Sequence, residues 1–223
     1  MKNQEAYENV NPYDNSTLSK KYQIIKIFNS ISNAYDIVNK ILFFGLHSIW
    51  RKKVVKLLID NKPTKILDIA TGTGDLAIDL LETKATEIIG VDISEDMLKI
   101  AHNKVNNRNL KDIIQIKIGD AENLNFQDNY FDAITCSFGV RNFDNLNKAL
   151  NEINRTLKPN GTFVVLETSN PENFPFKQVH RLYIKNIVPF VGRLFSKDKY
   201  AYKYLSKSLT KFPSGIHFNN ILD

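Results

Sequence analysis

The residues of this chain best suited to chemistry are a glycine-rich turn and a series of carboxylates that follow it. Ala70-Thr71-Gly72-Thr73-Gly74-Asp75 continues a short apolar run, Lys65–Ala70 (KILDIA). Glycines at such a junction let the backbone turn tightly and lie close to a ligand. Gly72–Ala77 satisfies the dinucleotide pattern G-x-G-x-x-G/A. Asp92 stands where that pattern asks for an acid, about 20 residues on. A carboxylate there can accept both hydroxyls of a ribose. The two features imply a nucleoside-bearing cofactor and leave NAD and S-adenosylmethionine equally open. Asp120, in Gly119-Asp120-Ala121-Glu122, can accept a hydrogen bond from the amino group of an adenine. The loop carries no Lys or Arg dedicated to phosphate, which suits a cofactor with a sulfonium cation and no pyrophosphate. Asp68, before the loop, is read either as part of the site or as an acceptor for loop amides. Asp132 is read as structural and Cys136 as a small core residue. No metal is expected.

The elements that must position these groups alternate. A helical stretch from about Tyr22 to Asp60 carries Ile24, Ile27, Phe28 and Ile31 at helical spacing. Strands are expected at Lys65–Ala70, Glu87–Ile93, Ile113–Gly119, Phe131–Phe138 and Thr162–Thr168. Helices are expected at Asp75–Thr83, at Glu95–Val105 behind an N-cap at Ser94, and at Asn145–Leu157 before the turn Lys158-Pro159-Asn160-Gly161. Strands alternating with helices predict an α/β fold, a Rossmann-like parallel sheet with helices on both faces. Ligands of such sheets bind at the carboxyl ends of the strands. The expected division is a loosely attached tail over 1–20, a helical lid over 21–60, a cofactor-binding core over 61–170 and a substrate- or membrane-facing insert over 171–215.

The order of glycine loop, ribose acid, Gly-Asp-Ala, Phe-Asp strand and Leu157-Lys158-Pro159-Asn160-Gly161 resembles class I methyltransferases. A narrower resemblance lies in Phe28–Asp36, Asn39, Phe44–Arg51, Phe131–Asn142 (ending Ser-Phe-Gly-Val-Arg-Asn), Leu166–Pro171, Lys197-Asp198-Lys199, Tyr202, Tyr204-Leu205 and Phe212–Gly215. These are similar to the motifs of the ubiquinone/menaquinone biosynthesis C-methyltransferases, over roughly residues 22–215. The resemblance implies S-adenosyl-L-methionine as cofactor, held by Thr73, Asp92, Asp120, Ala121 and Ser137. It implies C-methylation of a polyprenylated hydroquinone, with demethylmenaquinol favoured over dual quinone specificity. The family ordinarily continues past Asp223 into a helix and a strand hairpin. The resemblance therefore implies a C-terminally truncated protein whose fifth strand is an unpaired apolar edge, open to self-association. An inactive cofactor-binding subunit is the alternative.

Methyl transfer to a ring carbon needs an electron-rich ring, so a hydroquinol proton must leave and the phenolate must be stabilised. Arg141, after the fourth strand, is the first candidate for that stabilisation. The competing reading of Arg141 is a salt bridge pinning its loop. His47 and Tyr35 are alternative proton acceptors or ring-positioning groups. From Phe174 to Phe195, the apolar residues Val179, Leu182, Tyr183, Ile187, Val188, Val191, Leu194 and Phe195 are interspersed with Lys177, Arg181, Lys185 and Arg193, with Lys197 just beyond, and Pro189 is expected to interrupt any single helix. This segment, with the N-terminal helices, is read as a lid facing anionic lipid, the competing reading being plain core packing. The net charge of +6 fits such a surface, and no separate nucleic-acid-binding module is evident. The polar N-terminus and single cysteine point to a cytoplasmic protein, and the basic, apolar lid to one peripheral at the membrane.

Overall fold

The structure, a computed structural model, describes residues 10–13, 16–171, 173–195, 198–213 and 215–222. The protein divides into two compact units: a sheet unit, Phe43–Glu167, and a helical unit made of the described residues up to Leu42 and from Thr168 onward.

In the sheet unit, β1 (Lys65–Ile69), β2 (Glu87–Asp92), β3 (Ile114–Ile118), β4 (Phe131–Ser137) and β5 (Leu157–Leu166) form a five-stranded sheet of order β3-β2-β1-β4-β5. Every pairing is parallel. β1 and β4 are almost wholly buried, as apolar strands covered on both faces must be. The register sets Asp68 beside Gly90 on β2 and Thr135 on β4. Among the described residues β5 pairs with β4 alone and is an edge of this sheet. It begins at Leu157, five residues ahead of the expected Thr162. Phe131 pairs with Leu157 as the backbone leaves the preceding helix, and a register shift between Phe131 and Ala133 absorbs the Lys-Pro-Asn-Gly turn.

α2 (Leu46–Ile59) belongs to this unit, although the sequence suggested one lid through Asp60. Phe44 and Gly45 adopt left-handed backbone (φ 49° and 74°) and end the helix before it. Val55 and Leu58 of α2 join Leu80, Ile88, Leu98 and Ile114 in one core cluster. α3 (Asp75–Asp79) continues as a 3-10 turn, Leu80–Thr83. α4 (Glu95–Asn107) starts where expected, with the Ser94 hydroxyl accepting from the Met97 amide at 3.3 Å. α5 (Leu146–Thr156) is capped in the same way by Asn145.

The helical unit holds α1 (Lys20–Leu42), α6 (Phe176–Leu182), α7 (Val188–Phe195), α8 (Lys199–Lys211) and α9 (Ile216–Leu222). α1 buries Ile24, Ile27, Ile31 and Val38 at helical spacing. Of the N-terminal tail, residues 1–9, 14 and 15 lie outside the described residues, while Val10 is buried and the Tyr13 hydroxyl donates to Asp198 Oδ2 at 2.6 Å. Asp198 also caps α8 through the Tyr200 amide. Pro189 does not break the helical path. A π-helical turn, Tyr183–Ile187, joins α6 to α7, and Pro189 falls in the first turn of α7. Proline lacks the N–H that would bond four residues back, and the widened turn ahead of it takes up the misfit. The side chain of Arg193, and residues Lys197 and Ser214, lie outside what is described.

Candidate active site

The acids expected at the cofactor reach the carboxyl edge of the sheet, and their order follows the strands. Asp120 follows β3, Asp92 ends β2, the glycine loop follows β1, and Ser137 ends β4. Gly72 and Gly74 have φ of 56° and 80°, which glycine adopts without strain. A side chain on Gly74 would come within 2.9 Å of Ala101 Cβ, so glycine there lets α4 close on the loop. Gly72 differs: nothing lies within 4 Å of the Cβ position, so its backbone faces open space where a ligand can lie.

Hydrogen bonds hold this loop from below. Thr71 donates its hydroxyl to Asp68 Oδ2 at 2.6 Å, and Thr135 donates to Oδ1 at 2.7 Å. Asp68 is fully buried, and burial raises its carboxyl from 3.8 to about 6 in spite of both hydroxyls. The sequence left its role open; it supports the loop through the Thr71 hydroxyl rather than through loop amides. Asp92 accepts from the Gly72 amide at 2.9 Å through Oδ2 and from the Ser94 amide at 2.8 Å through Oδ1. Its carboxyl is also raised, by burial first. With roughly four lone-pair sites on its two oxygens, the carboxylate can still accept from ribose hydroxyls beside these amides. Thr73 is buried, and its hydroxyl accepts from Lys104 Nζ at 3.1 Å. Lys104 is bound more closely to Asp75, at 2.6 Å, and Arg51 to Asp79, at 2.6 Å. The bases beside the loop are thus engaged by nearby acids, and the open face carries carboxylates. That arrangement fits a cationic nucleoside better than a pyrophosphate.

At β3, Asp120 is half-buried and accepts from the Glu122 amide at 2.9 Å, and Ala121 is buried beside it. Glu122, which the sequence does not single out, is buried and accepts from the Asp144 and Asn145 amides at 2.8 and 3.1 Å. It ties the loop after β3 to the start of α5. Asp132 lies at the opposite end of the sheet and is structural, as expected. It accepts from the Thr64 and Lys65 amides and the Thr64 hydroxyl and pairs with Lys158 at 2.5 Å.

Beyond the glycine loop, at β4 and β5, the site changes character. Phe138 follows β4 and stacks on Phe43 with centroids 5.9 Å apart, and Trp50 packs against both rings. These contacts bring the start of α2, with His47 between Phe43 and Trp50, to the end of β4. Arg141 lies in the 3-10 turn Val140–Asn142 and meets Glu167, the residue after β5, at 2.6 Å. Arg141 is buried and Glu167 largely so, with side chains 6% and 9% exposed. The salt bridge weighed for Arg141 therefore exists, and it lies at the carboxyl edge. Tyr35 belongs to the helical unit, where it packs edge-on against Phe28.

The model of the ubiE/COQ5 methyltransferase family matches residues 16–223. The chain belongs to this family. Among its relatives, a demethylmenaquinone methyltransferase of Bacteroides fragilis is 41% identical over 96% of this chain and 88% of its own length. One from Thermotoga maritima is 46% identical over 86% of this chain and 82% of its own. One from Staphylococcus carnosus is 42% identical over 87% and 80%. Among solved structures, an S-adenosyl-L-methionine-dependent methyltransferase of Thermotoga maritima covers 88% of this chain and 78% of its own at 23% identity, with a TM-score of 0.61. One from Methanococcus maripaludis covers 82% and 84% at 24% identity, with a TM-score of 0.58. These two likenesses establish the class I methyltransferase fold.

For a ubiE/COQ5 member the sheet unit separates two kinds of surface along one edge. The polar, acid-lined part runs over β3, β2 and β1. The aromatic and ion-paired part lies over β4 and β5. Glu167 and the Phe43–Trp50–Phe138 group carry no role on sequence grounds, although they fall within the family's motifs or beside them. Only the pairing of Ser137 with Leu166 reveals that Arg141 and Glu167 share a strand end.

Proposed function

We propose that this protein transfers a methyl group from S-adenosyl-L-methionine to a ring carbon of demethylmenaquinol, forming menaquinol. The likeness to demethylmenaquinone methyltransferases along nearly the whole length carries this reading. The acid-lined loop supports it independently. Asp92 would take the ribose and Asp120 the adenine amino group, with Thr73, Ala121 and Ser137 beside the cofactor. The cofactor supplies an electrophilic methyl group on a sulfonium. With adenine at β3 and ribose at β2, the sulfonium end would fall over β1 and β4. The acceptor ring then lies toward β4 and β5, against the aromatic group, with Arg141 favouring its phenolate and His47 helping to orient it. The test is transfer of labelled methyl to a reduced short-chain demethylmenaquinol by purified protein in detergent. Cofactor binding without turnover would favour the alternative of a non-catalytic cofactor-binding subunit. Equal turnover of a ubiquinol precursor would indicate dual specificity.

Among the described residues, no helix is long and apolar enough to cross a membrane. The acceptor's prenyl tail nevertheless requires contact with lipid, and α6–α7 offers a surface for it. Phe174, Phe176, Leu182 and Phe190 are 81%, 68%, 66% and 62% exposed, and Lys177, Arg181 and Lys185 are exposed among them. Apolar side chains interleaved with cations suit an anionic bilayer surface. Binding to anionic vesicles in excess of neutral ones at low salt, weakened by Phe176→Ser with Phe190→Ser, supports this docking; equal binding to both refutes it. Self-pairing at the edge of β5 completes the proposed contacts, and light scattering over a concentration series tests it.

A further inference from the structure

The acceptor's hydroxyl proton needs a destination, and a guanidinium is a poor base. The strand order narrows the choice. A cofactor held by Asp120, Asp92 and the glycine loop would present its methyl toward β4 and β5, the last two strands on that side of the sheet order. There the buried Arg141 is held by the carboxylate of Glu167. The backbone places that carboxylate firmly. Ser137 pairs with Leu166, and the Phe138 amide donates to the Leu166 carbonyl at 2.7 Å.

We propose that Glu167 is the catalytic base that takes the acceptor's hydroxyl proton; this rests on the methyl-transfer reading above. Before the step, the guanidinium is paired with the Glu167 carboxylate and the acceptor is neutral. When the hydroxyl proton moves to Glu167, the carboxyl becomes neutral and the phenolate becomes the partner of the guanidinium. The buried cation keeps one anionic partner throughout, so no uncompensated charge appears in a site where that would be costly. The ring carbon next to the phenolate carbon then bonds to the methyl carbon. The methyl–sulfur bond breaks and its electron pair stays on sulfur. The ring is left as a ketone with one tetrahedral carbon. Rearomatisation sends the proton of that carbon to water, and Glu167 returns its proton to the oxygen. One proton is released per methyl transferred, and the carboxylate is restored.

The test compares two acceptors with Glu167→Gln, which preserves size and an acceptor for Arg141. One is a short-chain demethylmenaquinol. The other is an analogue with electron-withdrawing ring substituents, whose hydroxyl is already ionised at the assay pH. The substitution should lower kcat by about 100-fold on the first and by less than about 5-fold on the second, with the cofactor Kd unchanged. Equal loss on both acceptors would mean that Glu167 only positions Arg141, and no loss on either would mean no role; both results overturn the proposal. If the variant fails to bind cofactor, the unmodified enzyme carries the test. Its kcat/KM should fall at acid pH on the first acceptor and stay level on the ionised one, and parallel profiles overturn the proposal. Absence of turnover by the unmodified protein on both acceptors would overturn the methyl-transfer reading itself.

Discussion

Asp68 makes the glycine loop expensive. Its carboxyl is raised from 3.8 to about 6, chiefly by burial. The gap between those values is worth about 3 kcal/mol at roughly 1.4 kcal/mol per pH unit. The sign follows from linkage. Below pH 3.8 the group is protonated in folded and unfolded states alike and contributes nothing. Between 3.8 and about 6 the folded protein keeps a proton that the unfolded state has released, so stability falls as pH rises. Above about 6 the full penalty is present and constant. Asp68→Asn removes the charge and keeps hydrogen-bonding capacity for both threonines, since the amide can accept from one hydroxyl and donate to the other. Imperfect geometry returns about 1 kcal/mol of the gain. The variant should therefore be more stable than the native protein by about 2 kcal/mol at about pH 8, with the advantage shrinking by about 3 kcal/mol toward about pH 4. Urea denaturation followed by circular dichroism at several pH values measures this. A stability difference that does not change with pH, or a variant less stable at alkaline pH, would refute the assignment of a buried, penalised carboxylate.

Further outcomes follow from other contacts. Asp92→Ala removes the acceptor of the Gly72 amide and the proposed ribose acceptor, and should weaken cofactor binding by roughly 10- to 100-fold in calorimetry. Unchanged affinity would leave Asp92 a purely structural role. Gly139→Ala would set a methyl 2.5 Å from Ala70 Cβ and 2.8 Å from Cys136 Sγ, contacts that require the loop after β4 to move. It should cost about 1–3 kcal/mol in urea unfolding. Arg141→Ala should lower kcat by at least about 100-fold on neutral and ionised acceptors alike, with cofactor affinity retained, because the phenolate needs its counter-charge in both cases. Near-normal turnover would reduce Arg141 to a pin for its loop.

The sequence made the acid-lined half of the site legible and the other half much less so. Asp92 and Asp120 are legible as candidates because Asp92 ends β2 and Asp120 follows β3, and strand ends are visible as apolar runs stopping at a polar residue. The glycine loop announced itself by residue type. Glu122 was invisible because its work is done by accepting amides from Asp144 and Asn145, contacts that residue spacing does not encode. The Lys-Pro-Asn-Gly segment reads as a turn because its residues favour one, yet pairing between Phe131 and Leu157 draws it into β5. Tertiary pairing outweighed local preference there. The same holds at Pro189, where an expected break became a widened turn inside a continuing helical path.

The parallel order β3-β2-β1-β4-β5 is the one structural fact that converts residue types into roles. In sequence, Asp120 is closer to Arg141 than Asp92 is. Across the sheet the relation reverses, since β3 is the far edge and β2 lies nearer β4. Sequence distance alone would therefore place Asp120, the proposed adenine acid, next to Arg141, whereas the strand order sets it farthest away. The reversal also brings Glu167, 26 residues beyond Arg141, into the same strand-end corner at 2.6 Å. An acid at that corner cannot be serving the ribose or the adenine. On the proposed reading its chemistry belongs to the acceptor side, so the decisive experiment on Glu167 varies the acidity of the acceptor and leaves the cofactor unchanged.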